Sequence, residues 1–282
     1  MKQENLSLQQ LLNSAAVKNR FEVLLNTAAP SFISSILSIV NSNAKLQECS
    51  NNSILSAAGI AAALKLPINP SLGFAYIVPY KNQAQFQLGY KGLIQLAMRS
   101  GQYLTLNSGA VREGQIQEVD FITGEIVRGE KISNEIVGYI AYMELLNGFK
   151  KALYMTLEEL KAHAEKYSQS YSYDIHHNRK TSVWSTNFDA MAKKTVLKRL
   201  ISSFGIISID QQSMDLATAL QADQAVITPD GFRYVDNEKD GEEKFEPFNE
   251  ILNFDEDEKV VDEDEVITEK EEATQTNEEP VT

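Results

Sequence analysis

The stretch Phe74-Ala75-Tyr76-Ile77-Val78-Pro79-Tyr80, Lys81-Asn82-Gln83, Ala84-Gln85-Phe86-Gln87-Leu88 decides the fold. Two short runs rich in aromatic and apolar residues flank a polar turn, so a β-hairpin is expected. In the second run Ala84, Phe86 and Leu88 share one face while Gln85 and Gln87 share the other, the alternation of a half-buried strand. Pro79 cannot donate to a ladder and belongs at an edge or a strand end. After Gly89 the period changes. Tyr90, Leu93, Ile94 and Ala97 form one helical stripe, and Gly101 ends a helix over 90–100.

Outward from this hairpin, strands are expected at 104–112, 136–145 and 149–155, with a further hairpin around Gly124. Thr156 and Glu159 make a capping box for a helix over 157–166. A polar, tyrosine-rich loop over 167–182 leads to helices over 185–204 and 211–224. Towards the N-terminus, residues 6–66 read as helical until Pro67 and Pro70 intervene. Antiparallel strands mixed with helical blocks indicate an α+β fold: a small antiparallel β-sheet packed with helices. Three regions follow: a helical N-terminal block (1–50) suited to protomer contacts, an α+β core (51–228), and an acidic tail (229–282) read as largely disordered.

The 282 residues are 43% hydrophobic, enough for a sizeable core, and carry a net charge of −13. That charge is unevenly placed. Residues 236–282 hold 20 acidic side chains against 4 lysines, whereas residues 1–235 hold 19 acidic and 22 basic ones. A body of slightly positive charge therefore carries a strongly negative tail. Cys49 is the single cysteine, so neither an intrachain disulfide nor a thiolate zinc site is expected. The apolar run Ile54–Leu66, interrupted by Lys65, falls short of the roughly 20 residues of a membrane span. The first residues carry no apolar signal core. The expected location is the cytoplasm.

The sequence contains no phosphate-cradling GxxxxGK[ST] or GxGxxG pattern, and Gly89-Tyr90-Lys91-Gly92 has the wrong spacing for either. Asp174-Ile175-His176-His177 reads as a polar loop; a metal site there is the competing reading. Glu159-Leu160-Lys161 is the one Glu-x-Lys that invites a nuclease reading, and Glu159 already serves as a cap. No catalytic residue, cofactor or metal is expected.

Residues 76–112 contain four basic side chains and no acidic one. On the helix after Gly89, Lys91, Gln95 and Arg99 recur every four positions, a polar stripe able to follow phosphates or simply to face solvent. Lys81 in the hairpin turn, with Gln85 and Gln87, adds groups that commonly meet phosphate and sugar. A second block holds Lys193, Lys194, Lys198 and Arg199, and Asp189 is the only acid between Asp174 and Asp210. Trp184, the single tryptophan, suits either base stacking or the core.

These blocks carry a resemblance. Leu72-Gly73-Phe74-Ala75-Tyr76-Ile77-Val78-Pro79-Tyr80, Gln85-Phe86-Gln87-Leu88-Gly89-Tyr90-Lys91-Gly92, Arg99-Ser100-Gly101 and Val111-Arg112-Glu113-Gly114 resemble the RecT family of phage and prophage recombinases. So do Trp184, Asp189-Ala190-Met191-Ala192-Lys193-Lys194-Thr195 and Leu197-Lys198-Arg199-Leu200, and the likeness covers roughly residues 50–210. It implies binding of single-stranded DNA, annealing of complementary strands to duplex without ATP, and assembly into rings or helical filaments. It also implies a partner 5′ to 3′ exonuclease. By the same resemblance Lys81, Tyr90, Lys91, Arg99, Arg112, Lys193, Lys194, Lys198 and Arg199 are the DNA-facing candidates. Gly73, Gly89 and Gly92 read more simply as turn or close-packing glycines. Two other readings stay open: a passive single-strand nucleic-acid binder, and a Mg²⁺-dependent nuclease. The acidic tail is expected either to restrain DNA binding or to recruit a partner, the exonuclease or a host single-strand-binding protein.

Overall fold

The computed structural model describes residues 7–120, 122–206, 211–228 and 231–233. All of them lie in one unit of the chain, Met1–Leu252. The tail segment holding Phe245, Phe248 and Phe254, with its expected disorder, lies outside the described residues.

Serines punctuate the N-terminal block. Ser7 and Gln10 close a capping box on α1 (Leu8–Asn13), and Ser14 caps α2 (Ala15–Leu25). A 3₁₀ turn at Asn26–Ala28, with Asn26 at φ 50°, bends the chain into α3 (Ala29–Asn41). The run Ala15–Asn41 is, by its 27-residue length and composition, apolar enough to cross a membrane, a longer segment than the sequence singled out. In the fold it is broken by that turn, carries Lys18, Arg20 and Glu22, and buries Val17, Phe21, Ile36 and Val40. Phe21 and Phe32 pack at 5.7 Å across the bend. A short helix, α4 (Ala44–Gln47), leads to Ser50, the N-cap of α5 (Asn51–Ala63).

Helix α5 is apolar around its circumference and buried on nearly every side, as such a helix must be. It packs against the hairpin β1 (Ala75–Tyr80) and β2 (Gln83–Leu88), whose register runs from Ala75↔Leu88 to Tyr80↔Gln83. Helix α6 (Tyr90–Arg99) leaves β2 through Gly89. Glycine is required there because loop and helix touch backbone to backbone. A Cβ on Gly89 would sit 2.2 Å from the Gly73 carbonyl oxygen, and one on Gly92 would sit 2.1 Å from that of Phe74.

As expected the fold is α+β with small antiparallel sheets, four of them among the described residues. The largest has the order β3 (Tyr103–Arg112), β6 (Ile136–Leu145) and β7 (Lys150–Thr156), and β4 (Ile116–Val119) with β5 (Ile126–Arg128) forms the arm around Gly124. Tyr139, Ala141, Met143 and Met155 on the large sheet are buried. The helix that covers it, introduced below, contributes Ala192, Val196, Leu197, Leu200 and Ile201.

Thr156 and Glu159 close the expected capping box on α7 (Leu157–Tyr167). The segment read as a loop differs. Ser168 caps a helix, α8 (Gln169–His177), which Asn178 ends in the left-handed conformation at φ 49°. Its polarity disguised it, because it is anchored through its own carboxylate, Asp174, and not through an apolar stripe. Asp174, 1% exposed, accepts from Thr181 N and Oγ1, Ser182 N and Ser185 Oγ at 2.6–2.9 Å. Burial opposes ionisation there, but these donors outweigh it and hold the carboxyl far below its usual range. The helix expected over 185–204 is split at Asn187, which ends α9 (Val183–Thr186) and caps α10 (Phe188–Phe204), the helix lying on the large sheet. After α11 (Gln211–Ala222), β8 (Val226–Thr228) pairs with β9 (Gly231–Arg233).

Candidate nucleic-acid interface

The four cations of α10 are not equivalent. Lys194 is 7% exposed, and its Nζ lies 3.2 Å from Asp223 Oδ1. Lys198 donates to Asp223 Oδ2 at 2.7 Å, and the Leu88 amide donates to Oδ1 at 2.8 Å. Asp223 therefore ties α10 to β2 from the end of α11. Burial raises its pKa, but Lys194, Lys198 and the amide overcome this, so it remains ionised. Lys193 pairs with Asp189 at 2.7 Å, one helical turn away. Arg199 is exposed, with its guanidinium 3.8 Å from the Met155 sulfur. Of this block the fold leaves Arg199 exposed, ties the part-open Lys198 to Asp223, and buries Lys194, whose charge must then be paired.

The α6 stripe is similarly sorted. Lys91 is exposed. Gln95 has a buried, unpartnered Oε1. Arg99 donates to the carbonyls of Leu64 at 2.7 Å and Lys65 at 3.1 Å, capping the end of α5 where a cation is favoured. Tyr90 accepts from Ser108 at 3.1 Å, and Arg112 donates to Asn134 O. On β2, Gln87 is half-buried, but Gln85 is only 4% exposed and its Nε2 lacks a hydrogen-bond partner. The glutamine face is thus not the open face that alternation suggested. The segment after α11 runs along the edge of β2, with Gln224 N donating to Phe86 O at 3.0 Å. Trp184 is 6% exposed and packs on Phe188 at 5.4 Å and Tyr171 at 6.1 Å. It lies in the core, with no ring face open to a base.

The hairpin tip remains open. Lys81 takes φ 51° in a two-residue turn and holds its Nζ 5.5 Å above the Tyr80 ring. The Tyr80 hydroxyl donates to Gln169 Oε1 at the start of α8, 89 residues along the chain. That link brings the tip to the α7–α8 pair, of which the sequence predicted only α7. On α7, His163 packs tilted against Tyr167 at 4.6 Å and Lys166 lies 5.0 Å from the same tyrosine ring. Burial first, then the charges of Arg199, Lys198 and Lys166, push the His163 imidazole below its ordinary pKa. The cations of α7 and α10 therefore share one field, although they are separated in sequence by about thirty residues. The helical spacing of His163, Lys166 and Tyr167 was legible; their neighbours were not. Among the described residues no group of three or more His, Cys, Asp or Glu side chains gathers as a metal site would require.

The hairpin tip is joined to α8 and α8 packs on α7, and cations beside aromatic rings recur there at Lys81–Tyr80, Lys166–Tyr167 and Arg179–Tyr173. The model of the RecT family matches residues 30–247, and the chain belongs to that family. The match extends beyond the quoted blocks at both ends. The chain is 42% identical over 270 residues to the uncharacterized protein YqaK of Bacillus subtilis (strain 168), covering 92% of this chain and 87% of that one. It is 29% identical over 212 residues to Protein RecT of Escherichia coli (strain K12), covering 69% and 75% respectively. Membership supports a role in recombination of the phage type, among annealing proteins and not bond-making enzymes.

Proposed function

We propose that this protein binds single-stranded DNA and anneals complementary strands to duplex without ATP, acting as a homo-oligomer in the cytoplasm of a bacterial host. One observation carries the reading: in a chain of the RecT family, the hairpin tip at Lys81 is tied through Tyr80 to α8, which packs on α7 with its Lys166 set against the Tyr167 ring. Annealing requires bases held for display and not read, so contacts to phosphate and sequence-tolerant stacking suffice. Few open cations per protomer are adequate when many protomers share one strand. The helical block over residues 1–50 is the proposed protomer contact. A 5′ to 3′ exonuclease is the natural source of the single strand, and a host single-strand-binding protein the natural competitor for it.

Fluorescence-quench annealing of two complementary oligonucleotides tests the reading. Protein alone, with no nucleotide present, should accelerate the reaction. Tight binding of each strand without acceleration would reduce the protein to a passive binder, and a strict need for ATP hydrolysis would overturn the proposal.

A further inference from the structure

Helices α7 and α8 enclose an open groove of about 390 Å³ lined by Glu165, Lys166, Gln169, Ser172, Tyr173, His176 and His177. Tyr173 and His177 stack in it at 3.9 Å with only 22° between their planes, and the Arg179 guanidinium lies 5.7 Å from the tyrosine ring. Tyr173 is 46% exposed. The two histidines are not arranged for a metal. His176 Nδ1 lies 2.7 Å from the Ser172 carbonyl oxygen and His177 Nδ1 lies 2.9 Å from that of Tyr173, so each ring is turned back on its own helix. Gln169, at one end of the groove, is the residue that binds the Tyr80 hydroxyl beside Lys81. Lys166, another lining residue, lies 5.0 Å from the Tyr167 ring on the same helix. Glu165 is the one carboxylate in the lining.

We propose that this groove is a base-stacking subsite for single-stranded DNA, in which the Tyr173–His177 pair receives an unpaired base and Lys166 meets the adjoining phosphate. The inference rests on the DNA-binding reading above and adds a site to it. A stack of two exposed rings exposes apolar area to water, and a nucleobase covers that area whatever its identity. Arg179 is then free to leave the tyrosine face for a phosphate. The strand that reaches Lys81 at the hairpin tip continues through the groove towards Arg199.

The test uses the full-length protein and a thymidine oligonucleotide carrying one 2-aminopurine, whose fluorescence falls on stacking. Wild type should bind and quench the probe. Tyr173→Ala should relieve the quench and weaken binding by about tenfold, the scale of one lost base–aromatic stack, whereas Tyr173→Phe should preserve both. Lys166→Ala should lower the log K against log salt slope by about 0.7, one phosphate contact on a single strand. An oligonucleotide of abasic sites should lose its dependence on Tyr173 and keep that on Lys166. If wild type binds no single strand, the DNA-binding reading itself fails. If wild type binds, and Tyr173→Ala folds by circular dichroism yet binds and quenches like wild type, the subsite is overturned while that reading stands.

Discussion

Lys194 and Asp223 face each other in the interior, Nζ to Oδ1 at 3.2 Å, with 9% and 1% of their side chains exposed. A lysine counted among the DNA-facing candidates in the sequence is thus held by a carboxylate 29 residues away. A buried pair is costly to assemble and costlier to break, because the survivor is left charged in a poor solvent. Asp223→Ala strands Lys194 and weakens Lys198, and should destabilise the fold by about 3–5 kcal/mol in urea denaturation. Lys194→Met should lower stability but leave the single-strand affinity of the folded fraction unchanged. A fall in affinity without loss of stability would return Lys194 to the DNA surface.

Arg99 and Lys91 share a helix stripe and should separate by experiment. Arg99 caps the carbonyls of Leu64 and Lys65, so Arg99→Ala should cost about 1.5–3 kcal/mol of stability, the worth of hydrogen bonds to a charged group. Lys91 is exposed, and Lys91→Ala should leave stability within about 0.5 kcal/mol of wild type. If Lys91 meets a phosphate, the salt slope of binding flattens by about 0.7. An unchanged slope assigns Lys91 to solvent.

Trp184 is the only tryptophan, so intrinsic fluorescence reports one known position. Enclosed by Tyr171 and Phe188, it should emit at short wavelength and respond little to saturating oligonucleotide. Strong quenching on binding would show the indole stacked on a base. Trp184→Ala should cost about 3–5 kcal/mol, as expected for a large buried aromatic side chain.

Burial raises the Tyr103 phenol to about 12, and burial with the neighbouring Asp189 raises Tyr139 to about 12. Both groups hold their protons more tightly when folded. Their contribution is therefore complete below the ordinary tyrosine value of about 10 and is lost as pH rises towards 12. Thermal unfolding midpoints should fall across that window. The Tyr103 hydroxyl is buried without a hydrogen-bond partner, so Tyr103→Phe should be neutral or stabilising by about 1 kcal/mol and should blunt the alkaline loss.

Residues 236–282 carry 20 acidic side chains against 4 lysines, and upstream of them Asp223 and Gln224 lie against β2 and α10. We propose that this tail competes with DNA for the open cations or repels it. Truncation belongs after Val235 and not after Pro229, since β9 occupies Gly231–Arg233 and pairs with β8. The truncated chain should bind a fixed oligonucleotide more tightly at low salt, with the gain shrinking as the Debye length falls from about 30 Å at 0.01 M to about 8 Å at 0.15 M. Equal affinities at low salt would remove the restraint and leave partner recruitment.

The local pattern of the sequence determined most elements. Alternation placed β2, the Thr156–Glu159 box placed α7, and Gly89 and Gly101 bounded α6, because each depends on neighbours in the chain. The RecT blocks were legible for the same reason: they are contiguous. Helix α8 was missed because its anchor, Asp174, works through hydrogen bonds that leave no apolar period. Which cations stay open was decided only by tertiary structure. Lys194, Lys198, Arg99 and Arg199 are similar positive charges in a sequence, and nothing local distinguishes them. Asp223 binds two of them, the end of α5 takes the third, and Arg199 stays exposed beside His163. Charge is a property of the residue; its availability depends on which carboxylate or carbonyl the fold brings within about 3 Å.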